Sequence, residues 1–296
     1  MKEKVWGIRG GEREIDDAET LVRVLLANRN VAVSEQESFF ASSYDRDIHD
    51  PYSIADMEKA VERIFRAIKN KERIVVYGDY DADGITSTAI MIETLTALGA
   101  HVIPYLPHRY DDGYGLNGVV LQQMASEFEV LITVDCGISN SAEIAMLQEA
   151  GKDVIIVDHH EIPEQMPQAY AILHPRHPAG SYKWEHLCGA GMSWKAAQAL
   201  FRHANSPFVG DADKEKWLLD IVMIGTIADV MPLLGENRAI VRFGKEVLMR
   251  TKHPGIAALL KESRVNVSTI TAEDIAFRIV PLLNAAGRIG HPQSAF

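Results

Sequence analysis

Residues 74–84 read IVVYGDYDADG, a short apolar run that leads directly into three aspartates and a glycine. Consecutive apolar residues rich in valine favour a buried β-strand. The aspartates therefore follow the carboxyl end of a predicted strand. In open α/β sheets, this is the edge at which ligands bind.

The same arrangement of an apolar strand followed by acids occurs twice more along the chain. Residues 130–137 read VLITVDCG, and residues 154–160 read VIIVDHH. Because the carboxyl ends of parallel strands meet at one edge of a sheet, we expect the three endings to converge. For any single acid a solvated loop position is the better interpretation, but three such endings together favour a site.

Apolar runs alternate with helical segments around these motifs. The predicted strands are 74–77, 102–105, 130–134, 154–157 and 169–173, and helices are predicted near 85–98, 116–126 and 139–149. Continuous apolar strands separated by helices indicate a parallel sheet covered on both faces. The predicted fold is therefore α/β, with a doubly wound, mostly parallel five-stranded sheet.

Helical segments flank this predicted core on both sides. Amphipathic patterns predict helices at 17–29 and 53–69, and Ser53 with Asp56 resembles a capping box for the second helix. From about residue 190 the pattern is mostly helical. We predict an N-terminal helical extension, an α/β catalytic core and a helical C-terminal part, with bounds 1–70, 71–235 and 236–296.

The composition is that of a soluble globular protein, with 47% hydrophobic and 24% charged residues. The longest apolar stretch, 217–234, contains Asp220 and Asp229, so no membrane span is expected. Two cysteines, Cys136 and Cys188, are too few for a disulfide framework, and a cytoplasmic location is predicted. The net charge of −11 argues against a nonspecific nucleic-acid coat. It does not exclude a nuclease, because bound cations reverse the field of an acidic site.

Several aspartates together with imidazole suit Mn²⁺ or Mg²⁺ better than a thiolate-seeking metal. So many carboxylates in one cleft would repel one another unless cations neutralised them. Their number predicts two ions, about 3.5–4 Å apart, and hydrolysis at phosphate. Asp229 ends the apolar helical segment 218–229 and is a further candidate ligand; the alternative is an acid that caps the next segment.

Arginines near small residues are candidates for holding a phosphate, because the guanidinium matches phosphate geometry. Arg109, Arg176 and Arg288 have this setting, although each is alternatively a surface or structural arginine. Tyr114 is a candidate for stacking on a base, with a buried core tyrosine as the default.

Two further features of the sequence keep more than one interpretation. Gly189-Ala190-Gly191 opens a predicted helix, where it either cradles an anion or permits close packing. His160 is a metal ligand, a proton donor or a structural neighbour of His159.

The motifs VVYGDYDADG, TVDCG and IVDHH, followed by an isolated IAD at 227–229, resemble the four signatures of the DHH phosphoesterases. The surrounding segments HRYDDGYGLN, CGAGMSWKAA and LNAAGRIGHP are similar to the RecJ exonucleases within that superfamily. The resemblance spans roughly residues 15–296.

The resemblance implies a set of functional residues. The implied metal ligands are Asp81, Asp83, Asp135, His159 and Asp229, with Asp79 in the same motif. Catalytic roles are implied for His160, Asp135 and Asp83, and substrate contacts for Arg109, Tyr114, His174, Arg176 and Arg288. Smaller relatives carry a histidine where this chain has Tyr77, which implies looser or water-mediated binding of one metal ion.

The activity that the resemblance implies is 5′→3′ hydrolysis of single-stranded DNA to mononucleotides, with two Mn²⁺ or Mg²⁺ ions, in DNA repair and recombination. A single-strand-binding protein and a helicase are the implied protein partners. RecJ proteins are longer, so this chain is expected to be a catalytic part, with residues 236–296 leading toward a second, DHHA1-like domain. The alternatives are hydrolysis of short oligonucleotides or cyclic dinucleotides, and a non-catalytic DNA-binding or scaffold role.

Overall fold

The computed structural model describes residues 17–290 and 292–296. They contain one five-stranded sheet and many helices. The strands, numbered along the chain, are β1 (Arg73–Tyr77), β2 (His101–Tyr105), β3 (Val130–Val134), β4 (Asp153–Val157) and β5 (Ala171–Leu173). All neighbouring pairs are parallel, in the order β2-β1-β3-β4-β5. The predicted doubly wound parallel sheet is confirmed.

Helices precede, cover and follow this sheet. The α-helices before and within the sheet region are α1 (Ala18–Ala27), α2 (Gln36–Phe40), α3 (Tyr44–Asp47), α4 (Met57–Asn70), α5 (Ala82–Ala97), α6 (Gly118–Met124) and α7 (Ser141–Glu149). After β5 follow α8 (Gly189–Arg202), α9 (Leu219–Ala228), α10 (Gly235–Leu248), α11 (Pro254–Glu262), α12 (Ala272–Asp274) and α13 (Val280–Ile289). A π-helical turn at Ile275–Ile279 leads into α13, and short 3₁₀ helices include Glu215–Leu218 and Val267–Thr269.

The chain reverses its direction across the sheet after β2. From β1 it adds β2 on one side and then returns to place β3 on the other side of β1. Ligands in open α/β sheets bind outside the carboxyl ends of the strands at such a switch point. The acids that follow β1 and β3 lie at this position.

Both faces of the sheet are covered, as the continuous apolar strands predict. Ile74 and Val76 of β1 face the apolar cluster that includes α4, α5, α8 and α9. Val75 and Tyr77 face the opposite cluster with α6 and α7. β3 is buried along its whole length, because neighbouring strands and helices cover it on every side.

The apolar stretch at 217–234 contains α9, in which every residue from Leu219 to Ile227 is buried. The helix lies between α5, α8 and α10, which explains its uniformly apolar sequence. None of the described helices combines the length and apolar character that a membrane crossing requires.

The predicted capping box of α4 is wrong. Asp56 is the N-cap but has a left-handed φ of 58° and makes no side-chain cap hydrogen bond. Its carboxylate instead accepts the backbone N–H of Ile172 in β5, at 3.0 Å, and the Ser53 hydroxyl donates to the Asp50 carbonyl. A tertiary contact to the sheet has replaced the local one. The division at residues 70/71 and 235/236 stays a prediction, and residues 1–16 of the first segment lie outside the described residues.

Candidate metal centre

Three buried aspartates stand at the carboxyl edge of the sheet. Asp79 follows β1 after Gly78, Asp135 follows β3, and Asp158 follows β4. Each is at most 3% exposed. Burial, together with the nearby Asp81 carboxylate, raises the pKa of Asp79 to about 7.

The loop between β1 and α5 delivers two more acids to the same place. Asp81 is the N-cap of α5, and its carboxylate accepts the backbone N–H groups of Asp83 and Gly84, both at 3.0 Å. A carboxylate is favoured there, because the first N–H groups of a helix lack partners and carry partial positive charge. The loop is tight: a Cβ at Gly84 would lie 2.5 Å from the Asp79 carbonyl oxygen.

Asp83 is held by the N-terminus of α8. Its carboxylate oxygens accept the backbone N–H groups of Gly189 at 2.7 Å and Ala190 at 3.0 Å. A Cβ at Gly189 would lie 2.5 Å from Asp135 Oδ1. Both interpretations of the glycine motif therefore apply: it holds an anion, which is Asp83 itself, and it permits close packing. Cys188 is the N-cap of α8 and accepts the Gly191 N–H through Sγ at 3.4 Å.

Asp135 adopts a left-handed backbone conformation with φ of 60°. Asp and Asn are among the residues that tolerate this region best. Burial raises the pKa of Asp135 well above its ordinary range, and the carboxylates of Asp83 and Asp81 raise it further. The site thus concentrates negative charge that a cation would relieve.

The His159 ring lies at the junction of three carboxylates. Its Nε2 is 3.1 Å from Asp135 Oδ1, 3.6 Å from Asp229 Oδ2 and 3.8 Å from Asp83 Oδ2. Burial lowers the pKa of His159, which favours the neutral ring that a metal ligand requires.

Asp229 stands at the end of α9, where the sequence left two roles open. Its backbone caps the helix, and its N–H bonds to the Gly225 carbonyl at 3.0 Å. Within the described part of the chain, its buried Oδ2 has no hydrogen-bond partner. Burial and the Asp83 carboxylate raise the pKa of Asp229 to about 7. An orphaned buried carboxylate oxygen facing other acids is the arrangement expected of a cation ligand.

The described residues contain three overlapping groups of potential ligand atoms, and the atoms within each group all lie within 4.8 Å of one another. Their members are Asp135, His159 and His160; Asp83, His159 and Asp229; and Asp79, Asp81 and Asp135. Carboxylate oxygens with imidazole form a donor set that fits Mn²⁺ or Mg²⁺. Asp135 and His159 belong to two groups each, an overlap that suits two neighbouring ions.

Asp158 was missed as a site residue by the sequence reasoning, although it opens the DHH motif. Its Oδ1 accepts from the backbone N–H groups of His159 at 2.7 Å and His160 at 3.1 Å, and from His160 Nδ1 at 2.8 Å. Its Oδ2 accepts the Ile138 N–H. Burial alone would raise the pKa of Asp158. The hydrogen bond from His160, with the backbone hydrogen bonds, outweighs burial and lowers this pKa to about 2. The same bond raises the pKa of His160.

Tyr114 lies at the mouth of the site and is 62% exposed, so the expectation of a core tyrosine is wrong. Its hydroxyl is 3.1 Å from His160 Nε2. Arg109 is also exposed, with its guanidinium 5.4 Å from the Tyr80 ring centroid. Arg288 is exposed near the end of α13. Tyr114 therefore borders the site through His160, whereas Arg109 and Arg288 both lie near Tyr80, the residue between Asp79 and Asp81.

His174 and Arg176 form hydrogen bonds with the loop after β4. His174 is 1% exposed; its Nε2 is 2.8 Å from the His160 carbonyl oxygen, and its Nδ1 accepts the Arg176 N–H at 3.0 Å. The Arg176 guanidinium donates to the carbonyl oxygens of His159 and His160, both at 3.1 Å. The structure therefore brings both residues to the site as supports of the histidine loop.

Tyr77, the substitution noted against smaller relatives, is fully buried. Its hydroxyl donates to the Gly115 carbonyl at 3.2 Å and accepts the Asn117 N–H at 3.3 Å. It therefore holds the loop that carries Tyr114.

The sequence profile of the DHH family, N-terminal domain, matches residues 73–226. The chain therefore belongs to the DHH family, as the motifs and the site geometry indicate.

Within that family, the chain is similar to the RecJ proteins. It is 41% identical over 270 residues to the single-stranded-DNA-specific exonuclease RecJ of Bacillus subtilis (strain 168), covering 91% of this chain and 33% of that protein. It is 37% identical over 248 residues to the RecJ of Escherichia coli (strain K12), covering 80% of this chain and 42% of that protein. The chain thus spans less than half the length of these relatives.

Solved structures agree with this likeness. A crystal structure of exonuclease RecJ bound to manganese superposes with a TM-score of 0.74 at 35% identity, covering 82% of this chain and 60% of that one. RecJ in complex with Mn²⁺ from Thermus thermophilus gives 0.70 at 33% identity, covering 82% of this chain and 34% of that one. The resemblance drawn from the motifs is confirmed.

Proposed function

We propose that this chain is the catalytic part of a metal-dependent, single-stranded-DNA-specific exonuclease. The observation that carries the proposal is the meeting of carboxylates from β1, α5, β3 and α9 with His159 in three overlapping ligand groups. The similarity to RecJ exonucleases over most of this chain supports the choice of substrate.

The residues proposed to hold two Mn²⁺ or Mg²⁺ ions are Asp81, Asp83, Asp135, His159 and Asp229, with Asp79 beside them. The donor chemistry fits, and the unpartnered Asp229 Oδ2 together with the raised carboxyl pKa values marks a need for cations. When bound, such ions lower the pKa of a water and neutralise charge that develops on the phosphate.

His160 is proposed to contact the scissile phosphate. Asp158 binds its Nδ1, so Nε2 is the ring nitrogen that faces the Tyr114 hydroxyl and the open site. A proton on Nε2 can be donated to a phosphate oxygen, and Asp158 stabilises the charged ring while it is there. His174 and Arg176 are proposed to act through the loop that carries His160.

Single-stranded DNA is proposed to approach across the exposed rim. Arg109 and Arg288 offer guanidinium groups to phosphates, and the exposed ring of Tyr114 offers a surface for a base. The 5′→3′ direction, the release of mononucleotides, the repair role and the single-strand-binding protein and helicase as partners rest on the resemblance to RecJ.

The test is digestion of a long, 5′-labelled single strand with Mn²⁺, beside a blunt duplex. We expect labelled mononucleotide from the single strand as the first product and little cleavage of the duplex. Asp135→Asn is the matched inactive variant, because asparagine keeps the shape of the side chain and tolerates the left-handed φ of 60°. Alanine there would confound loss of a ligand with backbone strain.

Other products would replace the proposal. A ladder of shortened 5′-labelled strands would indicate the opposite polarity. Cleavage restricted to substrates of a few nucleotides, or to cyclic dinucleotides, would favour the small-substrate alternative. Tight Mn²⁺ binding without hydrolysis of any of these substrates would favour a scaffold role for this segment.

A further inference from the structure

Helix α13 crosses the loop between β1 and α5 and contacts its backbone. The carboxamide oxygen of Asn284 accepts the backbone N–H of Ala82, with an N···O distance of 2.8 Å. Ala82 lies between Asp81 and Asp83, and it is 1% exposed. The hydrogen bond thus joins the centre of the acid-rich loop to a helix 202 residues away along the chain.

The first turn of α5 explains why an acceptor is needed. The first N–H groups of a helix have no partner within the helix. The Asp81 carboxylate takes the N–H groups of Asp83 and Gly84. Asn284 supplies the acceptor for Ala82, whose buried N–H would otherwise lack a partner at the point between the two acids.

The close approach of α13 depends on Gly287, one turn beyond Asn284. A Cβ at Gly287 would lie 2.7 Å from the Tyr80 carbonyl oxygen. Val280 and Leu283 of the same helix belong to the apolar cluster that contains Ala82. Packing therefore holds α13 against the loop. The hydrogen bond to Asn284 sets where the loop backbone lies along the axis of α13.

The chemistry of the position favours asparagine. An aspartate would offer the same acceptor oxygen but would add a negative charge close to Asp79, Asp81 and Asp83. Burial and neighbouring carboxylates already raise the pKa values of Asp79 and Asp81. A leucine would have a similar size and no acceptor. A short, neutral acceptor is what the loop needs.

We propose that Asn284 is a positioning residue, which holds the backbone between Asp81 and Asp83 in the conformation that brings their carboxylates to a shared divalent cation. The effect of this residue on catalysis rests on the proposed function. The hydrogen bond from Ala82 to Asn284 can be tested without an activity assay. Replacing residues that support metal ligands typically weakens metal affinity about 10- to 100-fold. We expect Asn284→Ala to raise the Mn²⁺ half-saturation by about 10-fold or more.

The experiment compares the full chain with Asn284→Ala, Asn284→Asp and the matched control Asn266→Ala. Asn266 also accepts a helix N–H, that of Ser268 at 3.1 Å, but outside the acid cluster. The readouts are Mn²⁺ binding by electron paramagnetic resonance, hydrogen–deuterium exchange of the peptide spanning 79–85, and thermal melting. In Asn284→Ala we expect faster exchange in that peptide and weaker Mn²⁺ binding, and in Asn284→Asp exchange as slow as in the wild type.

Normal exchange and normal Mn²⁺ binding in Asn284→Ala would overturn the proposal. So would an equal loss of Mn²⁺ binding in Asn266→Ala, because the effect would then follow general destabilisation. A wild type that binds no Mn²⁺ would overturn the proposed function and the metal part of this inference. The exchange measurement would in that case still decide whether Asn284 holds the loop.

Discussion

Replacing Gly225 with alanine is expected to disable the metal centre while the protein stays folded. Gly225 lies in α9, one turn before Asp229, where this helix meets α5 and α8. A Cβ at this position would lie 2.5 Å from Ala190 Cβ, 2.5 Å from Thr86 Oγ1 and 2.7 Å from Asp83 Oδ1. The added methyl group therefore presses directly on a proposed metal ligand.

The magnitude follows from these distances. Atoms in ordinary contact are about 3.5 Å apart, so the Asp83 carboxylate must move by roughly 0.8 Å, and relief of the contacts with Ala190 and Thr86 requires a shift of roughly 1 Å. Overpacking of a core typically costs about 1–3 kcal/mol. The better helix propensity of alanine offsets about 0.5–1 kcal/mol of this. We expect a net loss of about 0–2.5 kcal/mol, and for a chain of this size each kcal/mol lowers Tm by about 2–4 °C. A displacement of about 1 Å at a reacting centre can reduce the rate on the order of 100-fold.

The assay pairs thermal melting with Mn²⁺-dependent hydrolysis of single-stranded DNA. Gly255→Ala is the matched control, because it also lies in a helix but a Cβ there meets nothing within 4 Å. It should keep full activity and melt at an equal or slightly higher temperature. Wild-type rates and Mn²⁺ dependence in Gly225→Ala would refute the reasoning, as would a comparable loss of activity in Gly255→Ala.

Three further predictions concern charged residues. Burial alone would lower the pKa of His253, but hydrogen bonds to two carboxylates raise it to about 10. The stabilisation from these bonds should be complete below about pH 6.5 and should fade as the pH rises toward 10. The free energies of unfolding of the wild type and of His253→Gln, measured in urea, should therefore converge near pH 10. Lys195→Met should lower the free energy of unfolding by about 3–5 kcal/mol in urea titrations, because it removes the buried ammonium group that pairs with the buried Glu236 carboxylate. Arg109→Ala should reduce the slope of log K for DNA binding against log salt concentration by about 1, the loss of one phosphate contact. Arg176→Ala should leave that slope unchanged and weaken Mn²⁺ binding. Equal salt slopes for the two arginine variants would contradict their separate roles.

Most of the fold was predictable because its signals are local. Apolar strands buried on both faces have continuous apolar sequences, and helices between them require parallel pairing. The strand ends also located Asp79, Asp135 and His159, since one edge of a parallel sheet gathers whatever follows its strands. The Asp56 prediction was wrong because a distant backbone N–H, that of Ile172, competes for the same carboxylate.

The sequence predicted which acids and histidines come together in the candidate site, but it did not predict the residues that support them. The exposure of Tyr114 depends on how its loop lies over the sheet edge, which periodicity does not report. The hydrogen bonds from His174 and Arg176 to the histidine loop were not predictable for a similar reason. They go to backbone carbonyl oxygens, which every residue carries and no sequence pattern marks.

The sequence by itself therefore determined the parallel α/β class, the edge of the sheet that carries the acids, and the chemical type of the ligands. These follow from residue type and short-range order along the chain. Only the tertiary structure decided that the N-terminus of α8 binds Asp83, that Gly225 lies against the same carboxylate, and that Asn284 holds Ala82. Such contacts join segments far apart in the chain, and their geometry is set by how the helices pack together, which no local pattern encodes.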